Sequence, residues 1–254
     1  MLADLLVGQA LTVLLVFSRL GAALMLVPGF GEHHVPPRLR LLLGLLLGVL
    51  VAPAVATSMP LLPREPLALA GLVGRELLTG LLLGFVARLA LAAIHAGGAL
   101  IAMQSGLSAA AMFDPAEAGQ GTIPASFLAA AALTVLFAGG FHHLLLRALT
   151  ASYATFPLGG GVDLARAAEL LVGLCAEALA TGVRIAAPLV LAGLLANLGL
   201  GAIGRLVPSF PVFFLALPVQ ILLALAVLKL ALPAAMTLFA DALVDGVGWL
   251  DQGG

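Results

Sequence analysis

Apolar residues run through this chain in stretches too long for strands, separated by short polar turns, and that pattern sets the expected elements. Leu5 to Val27 is the first stretch. At about 1.5 Å per residue it is long enough to cross roughly 30 Å of hydrocarbon as a helix. Ser18-Arg19 interrupts it, and an arginine there is costly unless it faces protein or water. Pro28-Gly29-Phe30-Gly31 ends the helix, and Glu32 to Pro37 makes a polar turn. Arg38 and Arg40 head a second run, Leu39 to Ala56, closed by Pro53 and a loop from Thr57 to Pro66. A third helix starts at Leu67, carries Arg75-Glu76 and Arg88, and continues to about Ala102. It is too long for one upright span, so a tilt or a break is expected near Gly97-Gly98.

Beyond the middle of the chain the runs become uneven. Ser126 to Phe137 and Leu144 to Phe156 are apolar but fall well short of the roughly 20 residues of a full span. Gly139-Gly140 and His142-His143 lie between them, and Pro157 with Gly159 to Gly161 breaks the chain again. Asp163 is placed to cap the next helix, with Arg166 and Glu169 in its first turns. That helix passes Glu177 and Arg184, two turns apart on one face and so expected to pair, and a kink is expected at Pro188. Arg205 to Pro211 is a turn, Val212 to Leu232 is the last strongly apolar run, and the tail from Pro233 is amphipathic. In that tail Asp241, Asp245 and Asp251 stand opposite Met236, Phe239, Leu243 and Trp249. Gly44-x-x-x-Gly48 and Gly80-x-x-x-Gly84 are spaced to bring helices close together.

Composition turns these helices into a class. Apolar residues make up 63% of the chain and charged residues 9%, against about a quarter charged in soluble domains. The fold class is therefore all-α, an integral membrane protein with broken and uneven helices. The N-terminus carries Asp4 where a secretory signal would be basic, so the first helix is expected to be retained. A net charge of −1 gives no basis for nucleic-acid binding. The single cysteine, Cys175, reads as a small buried hydrophobe.

One stretch departs from the apolar pattern. Met103 to Pro124 gathers amides, hydroxyls, two carboxylates and three glycines between membrane-grade helices. Non-helical backbone at membrane depth survives only if buried in protein or lining a wet cavity. Two readings stay open on composition: an ordinary exposed connection, or a segment that lines, plugs or constricts a pore.

Catalytic and metal chemistry finds little footing. His33-His34 and His142-His143 are adjacent pairs, which on a helix point about 100° apart and do not form a metal-binding face. No phosphate loop, dinucleotide fingerprint or nucleophile elbow occurs, so no cofactor is expected and the chain does not read as an enzyme. The in-run charges are mostly arginines, which do not give up protons, so structural pairing is favoured over a proton relay.

Three patches, in order along the chain, resemble the FliR family of flagellar biosynthesis and type III secretion export-gate proteins. The first is Arg19 with Pro28-Gly29-Phe30-Gly31 and Val35-Pro36-Pro37-Arg38-Leu39-Arg40. The second runs from Gln104-Ser105-Gly106-Leu107-Ser108 and Phe113-Asp114-Pro115 to His142-His143, Ser152-Tyr153 and Pro157-Leu158-Gly159. The third is Asn197-Leu198-Gly199-Leu200-Gly201, Arg205, Pro208, Val212-Phe213-Phe214 and Pro218-Val219-Gln220. Two departures stand out: Ser209-Phe210-Pro211 replaces the family's common Gln-Met-Asn, and Gln220 stands where a lysine is frequent.

The resemblance implies a core export-gate subunit of the flagellar apparatus in the bacterial inner membrane, at the basal body. It implies a FliP-like part over about 1–160 followed by a FliQ-like part over 161–254, both built from helical hairpins. Its implied partners are FliP-like and FliQ-like sister subunits, an FlhB-like switch protein and unfolded export substrates. A channel plug is implied at Met103, Gln104, Ser105, Gly106, Leu107, Ser108, Met112, Phe113, Asp114 and Pro115. Contacts within the assembly are expected at Arg75, Glu76, Glu177, Arg184, Arg205, Pro208 and Phe213, because charges inside apolar runs and an aromatic-proline turn need protein neighbours. Alternatives are an injectisome-type export gate and a secondary transporter with its site at a broken helix near Gly97 to Gly106. No second copy of the central pattern supports the transporter.

Overall fold

A computed structural model describes residues 2–56, 65–106, 122–160, 162–206 and 212–252. Its helices are α1 (Leu2–Leu26), α2 (Pro37–Val55), α3 (Pro66–Gln104), α4 (Ile123–Ala138), α5 (Phe141–Thr155), α6 (Leu164–Leu206) and α7 (Val212–Gln252). Among the described residues there is no strand. Also among the described residues, five helices are long and apolar enough to cross a membrane, or six spans if the broken pair α4 and α5 counts as one.

One expectation about a helix break is corrected. Helix α3 runs unbroken for 39 residues through Gly97 and Gly98. Those glycines serve close packing instead. A Cβ on Gly97 would crowd the Gly182 carbonyl and Ile185, and one on Gly98 would collide with Ala125. The amphipathic tail is the C-terminal part of α7, which continues for 41 residues through both Pro218 and Pro233. Its face is as read: Phe239 and Leu243 are buried while Asp241 and Asp245 are exposed. Asp163 caps α6 as expected, its Oδ1 accepting from the backbone N–H of Ala165 at 2.9 Å and of Arg166 at 3.4 Å. Cys175 is half-buried on α6 rather than part of a core.

The chain divides into two compact units. The first comprises Met1–Leu89, Leu136–Leu174 and Leu243–Gly254. Here α1 lies between two small-residue stripes. Gly44 and Gly48 of α2 face Phe17, with the Cα of Gly21 close to Gly44. Gly80 and Gly84 of α3 bring their backbone against the carbonyls of Arg19 and Ala23. Lipid tails are as apolar as leucine, so helices are held together by such close approach rather than by expulsion of water. After α1, Gly29 takes φ 84, a left-handed turn that leaves Phe137 directly over it, and Phe30 meets Phe137 edge-on at 6.0 Å. Arg40 closes this turn by donating to the carbonyls of Glu32 at 2.7 Å and Val35 at 2.9 Å, while Arg88 pairs with the Glu32 carboxylate. Helix α5 follows a left-handed Gly140 and buries Leu145, Ala148, Leu149, Ser152 and Tyr153, a spacing that puts all five on one face.

The second unit comprises Ala90–Val135 and Cys175–Ala242. Its core includes Leu91, Ile94 and Ile101 of α3, Leu128 of α4, and Ile185 and Leu189 of α6. Thr181, Gly182 and Ile185 mark the face of α6 that meets α3, where Gly182 lies under the Ala93 carbonyl and Ala96.

Candidate functional site

The residues that carry the sequence resemblance converge in two places. The first lies in the first unit and is built around Arg19, which is fully buried inside apolar α1. Its Nε donates to Oε2 of Glu76 on α3 at 2.7 Å, with both side chains 1% exposed. Its Nη1 donates to the Phe156 carbonyl at 2.8 Å, and its guanidinium stacks 4.2 Å from the centre of the Tyr153 ring. The other Glu76 oxygen, Oε1, accepts from the Gly159 N–H at 2.7 Å. Arg75 donates from the exposed side to the Gly159 carbonyl at 3.3 Å. Gly159 sits at φ 77, a left-handed conformation suited to glycine.

The turn Phe156–Gly160 is thus held by three charged side chains at the backbone of Phe156 and Gly159. Leu158 is buried beneath it, and the Tyr153 hydroxyl reaches the Val16 carbonyl at 3.4 Å. Each buried charge is paired and hydrogen-bonded, which is the condition for a charge to persist in such surroundings. Sequence reasoning singled out Arg19, Glu76 and the Pro157-Leu158-Gly159 break separately; it did not join them. Chemically the arrangement is a clasp, since arginine does not deprotonate and both charges are taken up by the turn and by each other.

The second place lies in the second unit, at the start of the central polar stretch. Met103 is 71% exposed, Gln104 ends α3, Ser105 is buried with its hydroxyl on the Ala102 carbonyl at 3.2 Å, and Gly106 takes φ 73. The Gln104 side chain lies across Gly193 of α6, where a Cβ would collide with it. This contact lines a small cleft with Ser105, Ala196 and Gln220, and Gln220 donates to Asn197 Oδ1 at 2.7 Å. Gln104, Ser105, Asn197 and Gln220 come from two of the three resemblance patches and meet here. Thr122, on the far side of the stretch, reaches back to the Gly98 carbonyl at 3.5 Å. Leu107, Ser108, Met112, Phe113, Asp114 and Pro115 lie outside the described residues, as does Pro208.

The other singled-out charges behave differently from Glu76. Arg184 donates to Glu177 Oε1 at 3.1 Å along α6, and the two side chains are 59% and 63% exposed. Arg205 is exposed in the last turn of α6, and Phe213 lies in the first turn of α7. His33 and His34 stack on each other at 3.7 Å, as do His142 and His143 at 4.0 Å, with His142 also against Phe137.

Comparison with known proteins agrees over nearly the whole chain. Residues 10–245 match the family described as bacterial export proteins, family 1. The flagellar biosynthetic protein FliR of Caulobacter vibrioides is 36% identical over 92% of this chain and 93% of its own length. The FliR protein of Escherichia coli K12 is 28% identical over 85% of this chain and 82% of its own length. The Yop proteins translocation protein T of Yersinia pestis is 30% identical over 87% of this chain and 85% of its own length. A match on this scale, carried by helices of membrane-spanning length, makes the chain a multi-pass member of the FliR family of bacterial export proteins.

Proposed function

We propose that the chain is a core export-gate subunit of the flagellar type III secretion apparatus in the bacterial inner membrane. The observation that carries this reading is the 36% identity over 92% of the chain to a flagellar biosynthetic protein. The injectisome-type alternative draws on the 30% identity to a Yop translocation protein. In this reading the subunit works non-enzymatically, and energy for export comes from other components. Its partners are FliP-like and FliQ-like sister subunits, an FlhB-like switch protein, and unfolded substrates as cargo. The sequence division at about 160 into FliP-like and FliQ-like parts belongs to the same proposal.

Exposure supports assembly with other proteins. The Glu177–Arg184 pair stands exposed on α6 among Leu179, Val183 and Leu191, which are also exposed. Charges in apolar helices are poorly accommodated by lipid and well accommodated by protein neighbours. Arg75, Arg205, Pro208 and Phe213 belong to the proposed assembly contacts, and Glu76, already engaged inside the chain, contributes through the turn it holds. Strains lacking the chain are expected to make no flagellar filament and to secrete no filament subunits. Normal flagellation in such a strain would reject the flagellar reading, and loss of an injectisome's secretion in its place would favour the alternative.

The stretch from Met103 to Pro115 is proposed as a deformable plug. Met103, Met112 and Phe113 would seal with soft apolar contacts, and the small residues Ser105, Gly106 and Ser108 would let the segment yield. The exposed Met103 and the left-handed Gly106 at its start support this. Deleting Gly106 to Ala111 is expected to leave the complex assembled and to let small solutes leak. An assembled complex that stays tight would reject the plug.

A further inference from the structure

Arg19 and Glu76 each use one atom on their partner and another on the turn after α5. Arg19 bonds Glu76 through Nε and the Phe156 carbonyl through Nη1. Glu76 bonds Arg19 through Oε2 and the Gly159 N–H through Oε1. Stability alone accounts poorly for such a pair. Taking two charges out of water commonly costs as much as their attraction returns, and apolar side chains of similar volume often serve as well. Nor does the contact of α1 with α3 need the charges, because Gly80 and Gly84 already set the two backbones against each other. Apolar side chains cannot, however, offer a donor to one backbone group of the turn and an acceptor to another. The polarity is specific: guanidinium meets a carbonyl, and carboxylate meets an N–H.

We propose that Arg19 and Glu76 are positioning residues that fix the Phe156–Gly160 turn, rather than a staple between α1 and α3. The turn they fix lies between α5 and the Asp163-capped start of α6, so its placement sets where α6 begins. Arg75 acts with them from outside, on the Gly159 carbonyl. This goes beyond the export reading and does not depend on it.

Two variants separate the roles. Arg19→Met with Glu76→Leu removes the charges and keeps most of the volume. Arg19→Glu with Glu76→Arg keeps an ion pair but would turn a carboxylate toward the Phe156 carbonyl and a guanidinium toward the Gly159 N–H. Each full-length chain would be purified in the membrane complex it forms, and amide hydrogen exchange followed at 158–160 and along α1 and α3. The apolar variant is expected to accumulate like the parent and to keep the protection of α1 and α3. In both variants the turn amides should exchange about ten-fold faster or more, as expected when a turn loses one or two charge-assisted hydrogen bonds. Three results would overturn the proposal: an apolar variant that fails to accumulate, turn amides that stay as protected as in the parent, or a charge swap that restores their protection.

Discussion

Arg19 sits inside an apolar helix, two turns from its C-terminal end, and its tolerance there depends on one carboxylate 57 residues away. Glu76→Ala alone leaves that guanidinium buried and uncompensated, a loss of about 3–5 kcal/mol. The chain should then fall in abundance in isolated membranes and unfold at lower temperature; an unchanged level would mean that water or lipid headgroups reach Arg19. Glycines make a second residue-scale prediction. A Cβ on Gly80 would collide with the Arg19 carbonyl, so Gly80→Val should cost about 1–3 kcal/mol through overpacking. Gly71, in the same helix, has open space where its Cβ would go. Gly71→Ala should be neutral or should stabilise by up to about 1 kcal/mol. Thermal unfolding of both variants in detergent checks the contrast. At this scale the sequence was legible where partners share a helix. Glu177 and Arg184 could be paired from their spacing, and they are bonded. The Arg19–Glu76 pair was not legible, because Glu177 is an equally good partner for Arg19, and Arg75 or Arg88 for Glu76, until the chain is folded. The signal that was available is the need itself: an arginine inside an apolar run requires a partner.

Element boundaries were legible where proline, glycine or a capping acid acts locally. The Asp163 cap and the break at Gly139-Gly140 are of this kind. Asp163→Ala should cost about 1 kcal/mol, confined to the first turn of α6. Faster amide exchange at Ala165 and Arg166, with the rest of α6 unchanged, is the expected record. Long helices defeated the same signals. Gly97-Gly98 reads as a break because glycine is a poor helix former in isolation. In the fold its missing side chains let α6 and α4 approach α3, which holds the helix straight through. Pro218 and Pro233 each remove a donor, yet α7 continues past both. Neighbouring groups in a helical membrane protein can satisfy the freed carbonyl. Neither outcome could be read from local composition, since both depend on what packs alongside.

At the scale of the molecule, composition alone identified a helical membrane protein, and the ordered patches identified its family. The convergence of those patches on a charged clasp in one unit and a polar cleft in the other came only with the fold. Much of the surface stays apolar, and α2, α6 and α7 bury only about a fifth of their membrane-length windows within the chain, 22%, 17% and 17%. Lipid can cover leucine, but it covers the exposed Glu177–Arg184 pair poorly, so the account places other protein subunits there. The most direct test is the mass and composition of the particle extracted in mild detergent from cells that make all their own export components. The account predicts a hetero-oligomer in which this chain travels with at least two other helical membrane proteins, and which loses them when Glu177 and Arg184 are both replaced by leucine. A stable, monodisperse monomer that carries no other membrane protein would contradict it.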